Sequence, residues 1–584
     1  MRERLTNAVA LGASVGALEF LFRTQPRLGF GFFEQATWLT LAVLCGVAVA
    51  LPAALVARAL RPVPHVGPRH MGLVLGALLG LHSALYYRFE LVLNASLRDP
   101  MVWGGMLALG FAGVLVGLGA DRLLRRITRF LPVVAVLGGL FGLFRGMPPA
   151  SRGDQGLNVL LITWDTTRPD RLGPYGGSAL TPALDGLAAG GIVFDQAVAS
   201  APLTEPSHLS ILTGQSTFEH GVVSNATALG PRPDLISHQL QDAGFVTGAV
   251  VSGFPLHAKW GWDQGFDIYD DDFSRLPGLH RLSLVVALDQ LLLPGKTLRE
   301  RPGVYAERRA LRFLRTRADD RFFLWVHLFD PHGPYEALPV DGAPRDGQAL
   351  DLPAYWPPPH RSITDEAWLV AAYDAELAEA DRITGVLLSE LDELGLSEET
   401  VVVMTADHGE SLTEHDYLFD HGDHLYDPSL RVPMIWRIPG YGANRVPCQV
   451  GNTTVAWTLR SLLGLPGADP ALLARLSGDA TCQDEAVVSS TLGARFVDAP
   501  PVDWSYRLPH EKFIQHGDPT VDSELFDLVQ DPGETRSVDS DDEHRRAGQN
   551  LEALLGGAQV IEGIAAPQLD ESAMEALRSL GYVE

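Results

Sequence analysis

Two acids in this chain stand directly behind apolar runs. Asp165 follows Asn158-Val-Leu-Leu-Ile-Thr-Trp164, and Asp407-His408-Gly409-Glu410 follows Thr400-Val-Val-Val-Met-Thr-Ala406. Such runs read as buried strands, and in an open parallel sheet ligands collect beyond the carboxyl ends of strands. Two carboxylates and an imidazole meeting there would make a divalent-cation site. Either acid alone reads more simply as a loop residue or helix cap. A third element is Pro202-Leu-Thr-Glu-Pro-Ser-His208, continuing to Thr213-Gly214. Pro206 suits the first turn of a helix, which puts Thr204 at its N-terminal edge. Free amides and the positive dipole end there suit a tetrahedral oxyanion. A hydroxyl beside a cation becomes a nucleophile; without the cation, Thr204 is only a cap. His327 and His332 flank Asp330 after the run at 322–328, and His421 and His424 follow the Asp-His pair. An imidazole near a leaving group can act as general acid near neutral pH.

These residues need a frame. Strand-like runs at 158–164, 245–251, 322–328 and 400–406 alternate with helical patterns at 181–190, 234–243, 303–317 and 365–394. That alternation predicts an α/β fold with a mainly parallel sheet sandwiched by helices. The core is expected over 158–445. A smaller C-terminal α+β subdomain is expected over 446–584, with strands near 485–491 and 511–515 and then Glu524-Leu-Phe-Asp-Leu.

Upstream, apolar stretches at about 5–22, 36–57, 71–87, 101–120 and 128–144 predict a five-helix membrane domain over 1–148. Residues 149–157 read as a linker. Arg2, Arg4, Arg58, Arg61, Arg69, Arg122, Arg125, Arg126 and Arg129 fall on one side of the five spans, which marks it as cytoplasmic. The chain is therefore expected to be a multi-pass protein of the cell (inner) membrane, held by the lipid bilayer, with its catalytic part periplasmic or extracellular. Residues 1–150 hold 14 Arg against 6 Asp plus Glu, whereas the whole chain is −26. The soluble part is thus strongly acidic, which argues against nucleic acid as partner. Cys448 and Cys482, beyond Cys45 in an apolar stretch, either pair or remain free thiols.

The residues in order also resemble a known family. Asn158 to Gly176, the Thr181-Pro-Ala-Leu-Asp185 helix start, Thr204-Glu-Pro-Ser-His208, Asp330-Pro-His-Gly-Pro-Tyr335, Ala406-Asp-His-Gly-Glu410, Glu524-Leu-Phe-Asp-Leu528 and Leu577-Arg-Ser-Leu-Gly-Tyr582 are similar to the ordered motifs of sulfatases. Sulfatases are a branch of the alkaline phosphatase superfamily. The resemblance implies one divalent ion held by Asp165, Thr204, Asp407 and His408. It implies His332 as general acid, and His208, Asn225, His327 and His421 as substrate contacts. Ca²⁺ follows from sulfatases and Mn²⁺ from members with threonine; Mg²⁺ and Zn²⁺ also suit the ligand types.

Two departures redirect the chemistry. Sulfatases oxidise a cysteine or serine to formylglycine, but the methyl group on the threonine β-carbon blocks that aldehyde at Thr204. Thr166 replaces the second of the family's tandem aspartates. A threonine nucleophile resembles the phosphoesterases and headgroup transferases of the superfamily. The expectation is therefore a membrane-anchored hydrolase of phospho- or sulfo-esters, with a lipid or envelope polysaccharide ester as substrate. The alternatives are a phosphoethanolamine- or phosphoglycerol-type transferase and a non-catalytic envelope binding protein.

Overall fold

The computed structural model describes residues 156–273, 300–353, 355–469, 473, 474, 476, 484–492 and 502–556. The expected membrane spans, nearly all of the linker, Cys45, Cys482 and Leu577 to Tyr582 lie outside the described residues. Among the described residues no helix is long and apolar enough to cross a membrane. Cys448 is disulfide-bonded.

The large sheet comprises β1 (Asn158–Trp164), β2 (Ile192–Val198), β3 (Val246–Val250), β4 (Ile268–Asp270), β5 (Phe322–Leu328), β6 (Thr400–Ala406), β7 (Arg431–Val432), β8 (Met434–Arg437) and β9 (Asn444–Gly451). Its order is β4-β3-β5-β1-β6-β8-β2-β7, with β9 also paired to β2. Only β7 and β8 run against the rest. The centre is parallel, and β1, β5 and β6 are buried along their whole length. Strands covered on both faces need continuous apolar sequence, which is what these three carry.

The register decides where chemistry can sit. Trp164 of β1 is level with Leu328 of β5 and with Ala406 of β6. The residues that follow these strands therefore leave the sheet side by side.

Helices α1 (Pro182–Gly190), α2 (Thr204–Thr213), α3 (Ile236–Asp242), α4 (Gly303–Thr316), α5 (Glu366–Glu393) and α6 (Thr454–Leu463) pack around the sheet. Leu160, Ile162 and Trp164 point to one face, where they join Leu184 of α1, Phe313 of α4 and Leu377, Ile383 and Leu387 of α5 in one core. Thr163, one residue out of phase, points to the opposite face and meets α2. Helix α5 is a spine for the rest. Asp365 caps its N-terminus by accepting from the Ala367 and Trp368 amides, and its Asp381 accepts from Ala183 and Leu184 at the start of α1.

The second sheet is antiparallel: β10 (Val487–Thr491), β11 (Asp503–Arg507), β12 (Glu511–Gln515) and β13 (Glu524–Asp527), covered by α7 (Asp541–Leu554). The expected subdomain boundary at 445/446 falls inside β9, which belongs to the large sheet. An alternating strand such as β9 carries no local mark of which sheet it joins. Buried Lys512 of β12 pairs with Asp427 at 3.0 Å and Glu534 at 2.7 Å, and Arg507 of β11 pairs with Asp427 at 2.7 Å. Asp427 lies just ahead of β7, so these cations tie the small sheet to the large one.

His516 ties three strands at their ends. It bonds Asp503 at 3.0 Å and Glu524 at 2.9 Å, and those bonds push its pKa up to about 9. Since the folded value lies above the ordinary value of about 6.5, the stabilisation is complete below that pH and lost as pH rises through about 9. Partial exposure of all three groups limits it to on the order of 1–2 kcal/mol. His516→Gln is expected to lower the urea midpoint at pH 6 and to leave it nearly unchanged at pH 10. Equal losses at both pH values would rule out the ionic origin.

Candidate active site

Asp165 begins where β1 ends, and its amide donates to the Leu328 carbonyl at 2.9 Å. Thr166 then takes a left-handed backbone (φ 46°) that turns the chain sharply away. Tyr373 of α5 holds that turn: its hydroxyl donates to the Thr166 carbonyl at 2.7 Å and accepts from the Arg168 amide at 3.1 Å. Asp407 leaves β6 at the same level. Its Oδ1 accepts from the His408 amide at 2.8 Å, and His408 Nδ1 donates to the Gly409 carbonyl at 2.9 Å. That bond leaves the Nε2 lone pair as the donor atom of the ring. Gly409 is required here, because a Cβ would lie 2.1 Å from the Pro428 carbonyl oxygen.

Helix α2 starts at Thr204, and all ten of its residues are buried. The Ser207 hydroxyl donates to the Asp407 carbonyl at 2.5 Å and accepts from Asn452 at 2.8 Å, which pins the first turn against the end of β6. His208 Nδ1 lies 2.8 Å from the Thr204 carbonyl and 3.5 Å from Asp407 Oδ2.

Asp165, Asp407 and His408 offer ligand atoms that all lie within 4.8 Å of one another. Asp165 Oδ1, Asp407 Oδ2, His408 Nε2 and Thr204 Oγ1 are each buried without a hydrogen-bond partner. A buried polar atom left unpaired costs about 1–3 kcal/mol. A set of oxygen atoms with one imidazole nitrogen fits a divalent cation. The electrostatics agree. Burial and the neighbouring Asp165 hold the Asp407 carboxyl well above the usual range, and burial outweighs His332 and His408 in raising Asp165. Two buried carboxylates this close ionise together only with a cation between them.

The other expected residues divide into three groups. His332 and His421 are at the site: their rings meet edge to face at 4.9 Å, and His421 lies 4.5 Å from His408. His332 stacks on Phe329 at 4.2 Å, with Nδ1 donating to the Gly333 carbonyl at 2.6 Å. Burial pushes His332 down to about 4 and His421 down to about 3. Asn225 accepts the Glu205 amide at 2.8 Å, and its Nδ2 is a buried donor without a partner. His208 and His327 lie deeper than His332 and His421. Both are fully buried, with both ring nitrogens in protein bonds, to Thr204 and Thr163 for His208 and to Ser252 and Asp165 for His327. His424 packs against Tyr417 and Tyr426.

Residues to which the sequence assigned no role complete the surroundings. Glu410 accepts from the Tyr335 hydroxyl at 2.7 Å, stands 3.3 Å from His421 Nδ1, and is pushed up to about 8 by burial. Lys259 lies over the rings of Phe254 and Trp260 at 4.1 and 4.0 Å, and its charge opposes the burial that raises Glu205. Its signal was its rarity, as one of three lysines in the chain. Tyr373 had none, being 207 residues from the turn it holds.

The sequence model of the family described as Sulfatase matches residues 157–465, more than half of the chain. The chain belongs to the sulfatase family. It is 27% identical over 322 residues to an ulvan-active sulfatase of Formosa agariphila, covering 53% of this chain and 61% of that one. It is 27% identical over 340 residues to human iduronate 2-sulfatase, covering 49% and 60%. The chain thus spans about three-fifths of the length of these curated relatives. Among solved structures, a phosphonate monoester hydrolase of Agrobacterium radiobacter superposes with a TM-score of 0.55 at 20% identity, over 69% of this chain and 96% of that one. At that identity the likeness shows the sulfatase-type α/β fold with its mainly parallel sheet.

Proposed function

We propose that this member of the sulfatase family is a divalent-metal-dependent ester hydrolase that uses Thr204 as its nucleophile, with phosphoesters as its substrates. The observation that carries this is the cluster of buried, partnerless ligand atoms of Asp165, Asp407 and His408 within 4.8 Å of one another, with the equally partnerless Thr204 hydroxyl at the start of α2, whose first turn is held against Asp407 by Ser207 and His208. A divalent ion held by Asp165, Thr204, Asp407 and His408 would supply Lewis-acid activation of the hydroxyl and neutralise charge on the ester. Asn225 Nδ2 is placed to donate to a non-bridging oxygen, with the positive end of the α2 dipole beside it. Thr204 Oγ1 gives up its proton to solvent and attacks phosphorus in line as the bond to the departing oxygen breaks; His332, taken up as imidazolium with the anionic ester, with Nδ1 held on the Gly333 carbonyl and His421 against it, gives its Nε2 proton to that oxygen. Water then opens the phosphothreonine, releasing the phosphate product and restoring the hydroxyl. Thr204 cannot become formylglycine, so elimination of sulfate from a hydrated aldehyde is closed to it. This is why phosphoesters are favoured over sulfate esters.

We further propose that the apolar stretches within 1–148 anchor the enzyme in the cell membrane with the catalytic part outside, acting on a lipid or envelope polysaccharide ester. The length of the stretches and the distribution of loop arginines support this.

The test is turnover by the purified full chain of aryl phosphate, phosphodiester, phosphonate and sulfate esters, before and after EDTA. Cleavage of at least one phosphorus ester at about 10²-fold or more above the sulfate ester, abolished by EDTA and restored by Mn²⁺ or Ca²⁺, is expected. A sulfate ester as the best substrate would overturn the phosphoester assignment, and EDTA-resistant turnover would overturn metal dependence.

A further inference from the structure

Behind the ligand atoms of Asp165, Asp407 and His408 lies a second layer that the proposed reaction leaves unused. His208 of α2 and His327 of β5 are both fully buried, with rings edge to face at 4.9 Å and 82°. Together with Asp407 they have the spacing of a cation site. Their hydrogen bonds point elsewhere. The Ser252 amide can only donate, so His327 Nδ1, 3.4 Å away, accepts. The proton of a neutral His327 ring is then on Nε2, which lies 3.2 Å from Asp165 Oδ2. On the other ring, Trp325 Nε1 donates to the Thr163 hydroxyl at 3.0 Å, and that hydroxyl stands 3.0 Å from His208 Nε2. The Thr204 carbonyl can only accept, so His208 Nδ1, 2.8 Å away, is the protonated nitrogen. The two rings thus present opposite tautomers, each fixed from behind by a protein donor.

We propose that His208 and His327 are a positioning pair: Nδ1 of His208 holds the Thr204 carbonyl, Nε2 of His327 holds the Asp165 carboxylate, and neither touches the ester. The inference rests on the cation site described above. His327 ties down Asp165 Oδ2, which leaves Oδ1 as the atom turned to the ion. His208 sits one helical turn beyond Thr204 and fixes the peptide that carries the nucleophile. Partners of this kind orient ligands, and their loss costs about 10–100-fold in metal affinity or activity.

Opposite tautomers give a crossed test. A glutamine amide reaches roughly where imidazole Nε2 sits, and an asparagine amide roughly where Nδ1 sits. His327→Gln should therefore keep the affinity of the full chain for Mn²⁺ within about 3-fold, while His327→Asn weakens it by about 10–100-fold. At position 208 the order reverses, with His208→Asn retained and His208→Gln weakened. Affinity is read by titrating Mn²⁺ into EDTA-treated protein and following the free ion by electron paramagnetic resonance. KM of all four variants at saturating Mn²⁺ should match the parent. A packing defect acts alike on both amides at one position and cannot produce the crossed order, so equal affinities within each pair would overturn the proposal. So would a raised KM with unchanged Mn²⁺ affinity, which is the mark of a substrate contact, or misfolding of all four variants. Failure of the parent to take up any of Mn²⁺, Ca²⁺, Mg²⁺ and Zn²⁺ would overturn the cation site, and this pair with it.

Discussion

Thr204→Ala is expected to lower kcat/KM on the best phosphorus ester by about 10³-fold or more, with almost no change in stability. The kinetic loss follows from removing the only group proposed to form the covalent intermediate. The stability expectation comes from the same atom. Thr204 is fully buried, yet its hydroxyl has no hydrogen-bond partner, so its removal breaks nothing and relieves an unsatisfied group. The lost methyl group offsets that relief by about 1 kcal/mol. Thr204→Ser keeps the oxygen and should retain activity within about 10-fold. Steady-state kinetics with a thermal melt on each variant checks both halves. Alanine turnover equal to the parent would remove the nucleophile, and a large drop in melting temperature would show the hydroxyl to be a structural cap.

The second large effect is an inversion at Asp407. Asp407→Asn is expected to weaken metal binding by about 10²-fold or more and to abolish turnover, and yet to raise the melting temperature of the metal-free protein. Burial and Asp165 raise the Asp407 carboxyl in the folded chain, so the folded state binds more protons than the unfolded state above the ordinary aspartate pKa. Stability of the metal-free chain therefore falls as pH rises above that value, and asparagine has no such dependence. The amide keeps the Oδ1 bond from the His408 amide, and its new N–H faces His408 Nε2, 3.6 Å from Oδ2 in the parent. The gain is on the order of 1–2 kcal/mol, or about 2–4 °C. Saturating metal should reverse the order, because the parent then gains about 4 kcal/mol at a thousand times Kd and the variant does not. Melting curves with EDTA and with Mn²⁺ are the check. A variant less stable than the parent in EDTA, or one still stabilised by Mn²⁺, would end this account of the cluster.

What could be read from the sequence depended on whether a signal was local. The runs at 158–164, 322–328 and 400–406 are strands with those same limits, because strands buried on both faces are apolar throughout. The acids behind them could be paired for the same reason, since parallel neighbours in register end together. Strands β2, β8 and β9 lie towards the sheet margin and mix polar with apolar residues, so they did not stand out. The type of His208 and His327 marked them for the site, but spacing does not say on which side of a ligand a ring will lie. Only the donors behind them, Ser252 and Trp325, settle that, and both come from other strands or their ends.

The cations that grip Asp427 have a further consequence. The stretch from Gly409 to Tyr426, which carries His421, starts beyond the end of β6 and finishes next to Asp427, the residue held by Lys512 and Arg507. The small sheet is therefore an abutment at the far end of a short span, not an appendage. A substitution that loosens Lys512 or Arg507 would act on the far end of the stretch that carries His421 while leaving Asp165, Asp407 and His408 unaltered.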